Sequence, residues 1–255
     1  QKVPNFTPYK YDTYSFTFYS YQLDPAKTTI FQDKKVRQAL VYALDRDAMV
    51  QAILLNLGTV AQGTMPTLNF AYQPDKLTTK YTYDPKKAEA LLEEAGWKKG
   101  PDGIRAKDGK KLKVVFQTSI NQPRQKTQAI IKQACQRAGI ELELKTIAAS
   151  VFFSSDVANP DTFTKFYCDL QMYTTGMQLP DPEQFMAQYV STNIANKDNK
   201  WQGRNINRWR NEEYDRAFKA AESELDPVKR AALFIRMNDL IVESRITIPV
   251  VFRPF

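Results

Sequence analysis

The sequence predicts an α/β fold in which a mixed sheet is flanked by helices. Three observations lead there. Amphipathic segments of helical period begin at Asp or Asp-Pro steps, short β-rich runs alternate with them, and residues 111–147 read strand, helix, strand, a βαβ unit.

In chain order, residues 13–22 form an aromatic-rich strand. Asp33 opens a helix carrying Val36, Ala39, Leu40 and Ala43 on one face. Asp84-Pro85 opens the next, because Asp caps free amides and Pro suits the first helical position. Its apolar stripe is Ala88, Leu91, Leu92 and Ala95, and Gly96 ends it. Asp108-Gly109 is a two-residue hairpin turn between Ile104 and Leu112. Leu112, Val114 and Phe116 alternate as a strand, and so do Ile140, Leu142 and Leu144. Pro123 opens the helix between them, with Thr127, Ile130, Ile131, Ala134 and Ala138 inward and Gly139 closing it. Residues 169–174 and 246–252 are further strands. Asp181-Pro182 and Asp226-Pro227 start two more helices, the second with Val228, Ala231, Ile235 and Val242 on its inner face. No repeat or internal linker divides residues 1–255, so one domain is expected.

Composition narrows the chemistry. An apolar share of 43% with 25% charged residues is that of a globular chain, and no apolar run approaches the ~20 residues of a membrane span. Gln1 is neither an initiator methionine nor the start of a signal-peptide pattern, so the sequence reads as a mature protein or a piece of one. The net charge of +8 comes from bases spread along the chain among acids, unlike the concentrated face of a nucleic-acid binder, so no nucleic acid is expected. With no histidine, Ser-His-Asp and Cys-His catalysis and imidazole metal ligation are excluded. Cys135 and Cys168 are too few for a zinc site; they allow one disulfide, and their helix and strand contexts read as two buried thiols. No catalytic residue, metal or cofactor is expected.

Three motifs carry more than the fold. The run Phe31-Gln32-Asp33-Lys34-Lys35-Val36-Arg37-Gln38-Ala39-Leu40, followed by Ala43-Leu44-Asp45-Arg46, resembles the F-x-D-x-x-VRQAL-x-x-A-x-DR signature of family 5 extracellular solute-binding proteins. Tyr83-Asp84-Pro85 with Ala88, Leu91-Leu92 and Ala95-Gly96-Trp97 is similar to that family's second signature. Asp226-Pro227, Arg230, Leu233 and Ile248-Pro249-Val250 are similar to its close. The likeness runs in order over about residues 28–255. As residues, these motifs are structural. Arg37 and Asp45 could form a surface ion pair of ~0.5 kcal/mol, and Trp97 beside a helix end is a packing plug.

The resemblance implies one lobe of a two-lobed periplasmic-binding-protein fold. Members enclose ligand between lobes, the second lobe being inserted into the first. The sequence resembles only that inserted lobe, with the N-terminal lobe absent, and its ends should lie close together. The implied protein is a monomeric extracytoplasmic receptor, periplasmic or at the cell surface. It hands a peptide or related small solute to an ABC permease in the membrane.

The expected ligand-facing stretch is Tyr173, Thr174, Thr175, Gly176, Met177 and Gln178, between a strand and the helix at Asp181-Pro182, where open α/β sheets place ligand loops. In peptide-binding relatives the similar segment reads GW-x-ADYPDP, and its first Asp pairs with the peptide's amino group. Here Gln178 stands at that acid and Thr175 at the Trp, which points away from capture of a free amine and toward a neutral or sugar-like ligand. Residues 118–124 lead into a helix, and Arg124 could hold an anion there. The segment from Trp201 to Trp209 mixes aromatics, Arg and Asn, with Asn205 and Trp209 as candidate ligand contacts. Two other functions compete. A carboxylate-based glycosidase would use Asp181 with Glu183, although residues two apart at a helix start do not face each other. A sensory or structural module would use the same lobe without transport.

Overall fold

The computed structural model describes residues 12–54, 57–67 and 69–254. The chain begins with β1 (Asp12–Tyr21), α1 (Lys34–Tyr42), α2 (Arg46–Leu54), β2 (Thr59–Val60) and α3 (Pro85–Glu94). A small sheet of β3 (Lys98–Lys99), β4 (Arg105–Lys107) and β5 (Lys110–Lys111) follows, then β6 (Lys113–Ser119), α4 (Gln122–Arg137) and β7 (Glu141–Ile147). The remainder is α5 (Ala149–Phe152), β8 (Leu170–Gly176), α6 (Glu183–Met186), α7 (Glu212–Ser223), α8 (Pro227–Ser244) and β9 (Thr247–Pro254).

The main sheet is mixed, in the order β2-β9-β1-β8-β6-β7. β6, α4 and β7 are the expected βαβ unit, with β6 and β7 parallel from Lys113↔Glu141 to Ser119↔Ile147. β1 runs antiparallel to both β8 and β9, and its pairing reaches Asp12↔Pro254, so the ends of the described chain are neighbours.

Strand alternation divides the core in two. Along β1, Phe16 and Phe18 face one side, while Tyr19 and Tyr21 face the other. On the tyrosine side, α1, α3 and α4 bury Leu40, Leu92 and Ile131 against Val114, Phe116 and Ile248. On the phenylalanine side, α7 and α8 bury Tyr214, Phe234 and Met237 with Phe152, Tyr173 and Trp209.

The capping signals operate as expected. Asp33, Asp84 and Asp226 accept from Lys35, Lys87 and Val228 N–H respectively, and Asn121 caps α4. Asp226 satisfies two amides, Val228 at 2.8 Å and Lys229 at 3.2 Å. Asp226→Ala should therefore cost about 1 kcal/mol, read as a lower urea midpoint with unchanged slope. Asp108 and Gly109, at φ 51° and 75°, make the primed turn between β4 and β5. Gly96 and Gly139 end α3 and α4 at φ 87° and 85°.

Three local expectations change. Val228 is 77% exposed, and the inner seam of α8 runs through Phe234, Met237 and Ile241, because the first turn of the helix lies outside the core. Asp181 starts only the short α6, where it accepts from Glu183 N–H at 2.9 Å. Arg37 does not pair with Asp45. It donates to the carbonyls of Phe31, Gln32 and Ser244, while Asp45 caps α2 through Ala48 N–H. Trp97 is buried as a plug. Cys135 and Cys168 are free and buried, and burial pushes the Cys135 thiol up to about 12, which leaves it protonated and unreactive.

Candidate ligand site

A concavity of about 540 Å³ lies at the C-terminal end of β8. Three walls enclose it: residues 173–176 with Gln178, residues 153–157 with 162–165, and residues 200–204. The location follows from topology. β6 and β8 are parallel but pair only from Phe116↔Leu170 to Thr118↔Met172. Beyond Met172, β8 continues along β1 as far as Ser15↔Gly176, so its other edge faces the cavity with no ladder partner among the described residues. Gly176 permits this pairing, since a Cβ there would sit 2.7 Å from Tyr14 O.

Aromatic packing stiffens the first two walls. The Tyr173 ring stacks edge-on against Phe18 at 4.7 Å and Phe163 at 5.3 Å, with Phe152 and Phe153 farther out. Burial raises the Tyr173 pKa, so its hydroxyl stays protonated. Phe153 is 44% exposed at the rim, offering an apolar face to an occupant.

The third wall is a knotted loop. Asn196 and Asn199 accept each other's N–H at 3.0 Å, and Asn199 also donates to Ile194 O. An Ile194↔Asn205 bridge closes it. Gly203 passes so near that a Cβ would lie 2.4 Å from Asn193 O. Lys200 and Trp201, both non-glycine, are held left-handed at φ 52° and 63°. The Trp201 ring is braced by Tyr167 at 5.7 Å and by the Arg208 guanidinium at 5.6 Å.

Of the sequence-derived candidates, Tyr173, Thr174, Thr175, Gly176 and Gln178 line this cavity together. Met177 does not, because its side chain is buried on the phenylalanine side of the sheet. Arg124 lies beside the cavity. It donates to Ser119 Oγ, its guanidinium is 5.7 Å from the Phe153 ring, and it lines a smaller groove that shares Thr174. Asn205 and Trp209 are corrected to structural residues. The Asn205 amide, 1% exposed, donates to the Tyr189, Val190 and Trp209 carbonyls and accepts from Trp209 N–H. Trp209 packs edge-on against Tyr214 at 5.1 Å. It is the earlier half of that segment, Trp201 to Arg204, that reaches the cavity. The wall from Phe153 to Lys165 carried no periodicity or motif that could have announced it.

Asp181 and Glu183 do not form a glycosidase pair. Arg230 holds both, at 2.5 and 3.1 Å to Asp181 and 2.8 Å to Glu183. That guanidinium lowers the Asp181 pKa, whereas a general acid requires a raised one. Among the described residues, no group of three or more Cys, Asp and Glu side chains is placed to hold a metal ion, and no helix is long and apolar enough to cross a membrane.

Comparison with known proteins agrees with the fold and with the motifs. Residues 1–197 match the family model of bacterial extracellular solute-binding proteins, family 5 middle. The oligopeptide-binding protein AppA of Bacillus subtilis is 33% identical over 222 residues, 86% of this chain and 38% of that protein. Its structure in complex with a nonapeptide superposes with a TM-score of 0.83 at 27% identity, over 96% of this chain and 46% of that one. An oligopeptide-binding protein from Thermus thermophilus complexed with a pentapeptide gives 0.85 at 27% identity, over 96% and 42%. The chain thus spans less than half the length of the relatives it matches. It belongs to family 5 of the bacterial extracellular solute-binding proteins.

Proposed function

We propose that this chain is one ligand-binding lobe of an extracytoplasmic receptor that captures a peptide or related small solute and delivers it to an ABC permease, without catalysing a reaction. The observation that carries this reading is the free edge of β8 over residues 173–176, opening on a cavity with aromatic walls. An extended peptide can add its backbone to such an edge while its side chains enter pockets. The pairing of Asp12 with Pro254 suits a lobe entered and left by adjacent strands. The relatives named for oligopeptide binding support the solute class.

A lobe of this kind supplies half a cleft, whereas a tight site buries most of its ligand. In calorimetry against tri- to nonapeptides, the longer protein containing this chain should bind at least about tenfold more tightly than the chain alone. Equal affinities would refute the half-cleft reading.

Gln178 sets a second expectation. It is exposed at the junction of the main cavity and a small recess that also contains Asp181, and Arg230 already neutralises that acid. Among the described residues of that recess, Asp181 is the one carboxylate and it is already paired, so N-acetylated and free-amine peptides should bind alike. Gln178→Asp should shift the preference toward the free amine by about tenfold, the worth of one charge-assisted hydrogen bond. Competition between the two peptide forms measures it. Loss of all binding on acetylation in the wild type would place the amine site elsewhere.

A further inference from the structure

Resting on that reading, we propose that the cavity selects solutes carrying a carboxylate, held on the side formed by Lys165, Lys200 and Arg204. All three line the cavity. The only carboxylate among the lining residues is Asp156, which is exposed and already accepts from Ala158 N–H at 2.8 Å. None of the three cations forms an ion pair with a described residue, although salt bridges are frequent on the rest of the surface.

Lys165 is the most telling of them. Its side chain is 5% exposed, yet the ammonium meets no carboxylate and donates to the Val157 carbonyl at 2.5 Å. A buried lysine normally has a countercharge, because removing an ion from water is costly without one. Lys165 stays beside the cavity with two of its three protons available for an anionic oxygen. Lys200 and Arg204 project from the knotted loop, so the ordering cost of presenting them is already met by the fold. The fourth cation behind them, Arg208, is consumed by the carbonyls of Thr164, Lys165 and Ile206. It adds positive potential without competing for the ligand. Of the neighbouring acids, Asp181 and Glu183 are bound to Arg230 and Asp161 to Lys145, which leaves the exposed Asp156 and Asp198 against four cations.

The test uses the longer protein containing this chain and matched acid and neutral probes: Ala-Glu-Ala against Ala-Gln-Ala, each with a free or amidated C-terminus, and galacturonate against galactose. At low salt, the acid of at least one pair should bind about tenfold or more tightly than its neutral partner. That advantage should shrink as salt is raised. The Glu/Gln pair reports a side-chain carboxylate and the free/amidated pair a terminal one. Lys200→Gln and Arg204→Gln should each reduce the acid preference. Lys110→Gln, on the exposed far turn of the small sheet, should leave it intact. Equal binding of acid and neutral members overturns the inference while leaving the receptor reading in place. So does an acid preference that falls as much with Lys110→Gln as with Arg204→Gln, since only net charge would then be at work. A preference for galacturonate with no peptide bound supports the carboxylate inference and refutes the peptide class. Binding of none of the probes refutes both.

Discussion

Trp209→Ala should lower folding stability by about 3–5 kcal/mol, the usual cost of emptying a buried indole site, and leave the solute affinity of the folded protein unchanged. Trp209 lies in the core on the phenylalanine side of the sheet, 7% exposed and edge-on to Tyr214. Tyr214 in turn donates to Met186 O at 2.8 Å. The truncation would therefore leave a cavity between α7 and the chain around α6 without touching the ligand walls. Equilibrium denaturation and calorimetry on the same sample separate the two effects. A tenfold loss of affinity with an unmoved denaturation midpoint would return Trp209 to the ligand site.

Arg46→Met should be at least as damaging, lowering stability by more than about 3 kcal/mol. The Arg46 side chain is 4% exposed and donates to Ala61 O at 2.6 Å, Pro249 O at 3.0 Å, Tyr81 O at 2.5 Å and Gln62 Oε1 at 3.2 Å. It ties α2, the strand β9 and two connecting segments to one planar group. Met fills similar volume but donates nothing, so three backbone carbonyls lose a donor at roughly 1–3 kcal/mol each. Burial lowers the Arg46 pKa, but a guanidinium remains charged at all physiological pH values, so the loss should not vary between pH 5 and 9. Arg46→Lys, with a single donor point, should fall between wild type and Met. A Met variant as stable as wild type would mean the four hydrogen bonds contribute nothing net.

These two residues show how unevenly function was legible in the sequence. Arg46 belongs to a motif that the sequence displays openly, and its burial explains the motif's form. An Asp that caps α2 is followed at once by an Arg that turns inward. The motif thus identified the family while its one proposed contact, Arg37 with Asp45, was mistaken. Arg37 instead reaches the carbonyl of Ser244 at the far end of α8, more than two hundred residues away. α7 went unread although Asn211 caps it and Tyr214, Ala217 and Ala221 share its inner face, because its charged first turn resembles a solvated surface segment.

The candidate site divides along the same line. The sequence by itself determined a strand at residues 169–174, which the structure extends to Gly176, the polar stretch that follows it, the capped helices and the βαβ unit. Each of these depends on the chemistry of residues a few positions apart: a side-chain oxygen beside free amides, a glycine where φ is positive, apolar groups at the period of a helix or strand. Only the tertiary structure decided which residues meet across the cavity. Trp201 and Trp209 are alike in type and eight positions apart. One faces the cavity and the other the core, because the Ile194↔Asn205 bridge and the Asn205 amide turn the chain between them. The wall from Phe153 to Lys165 is placed by packing of Phe153 and Phe163 against Tyr173, and the unpaired charge of Lys165 exists only once that packing has buried it. Such contacts gain their energy from surface removed from water between distant segments, a quantity that no local spacing encodes.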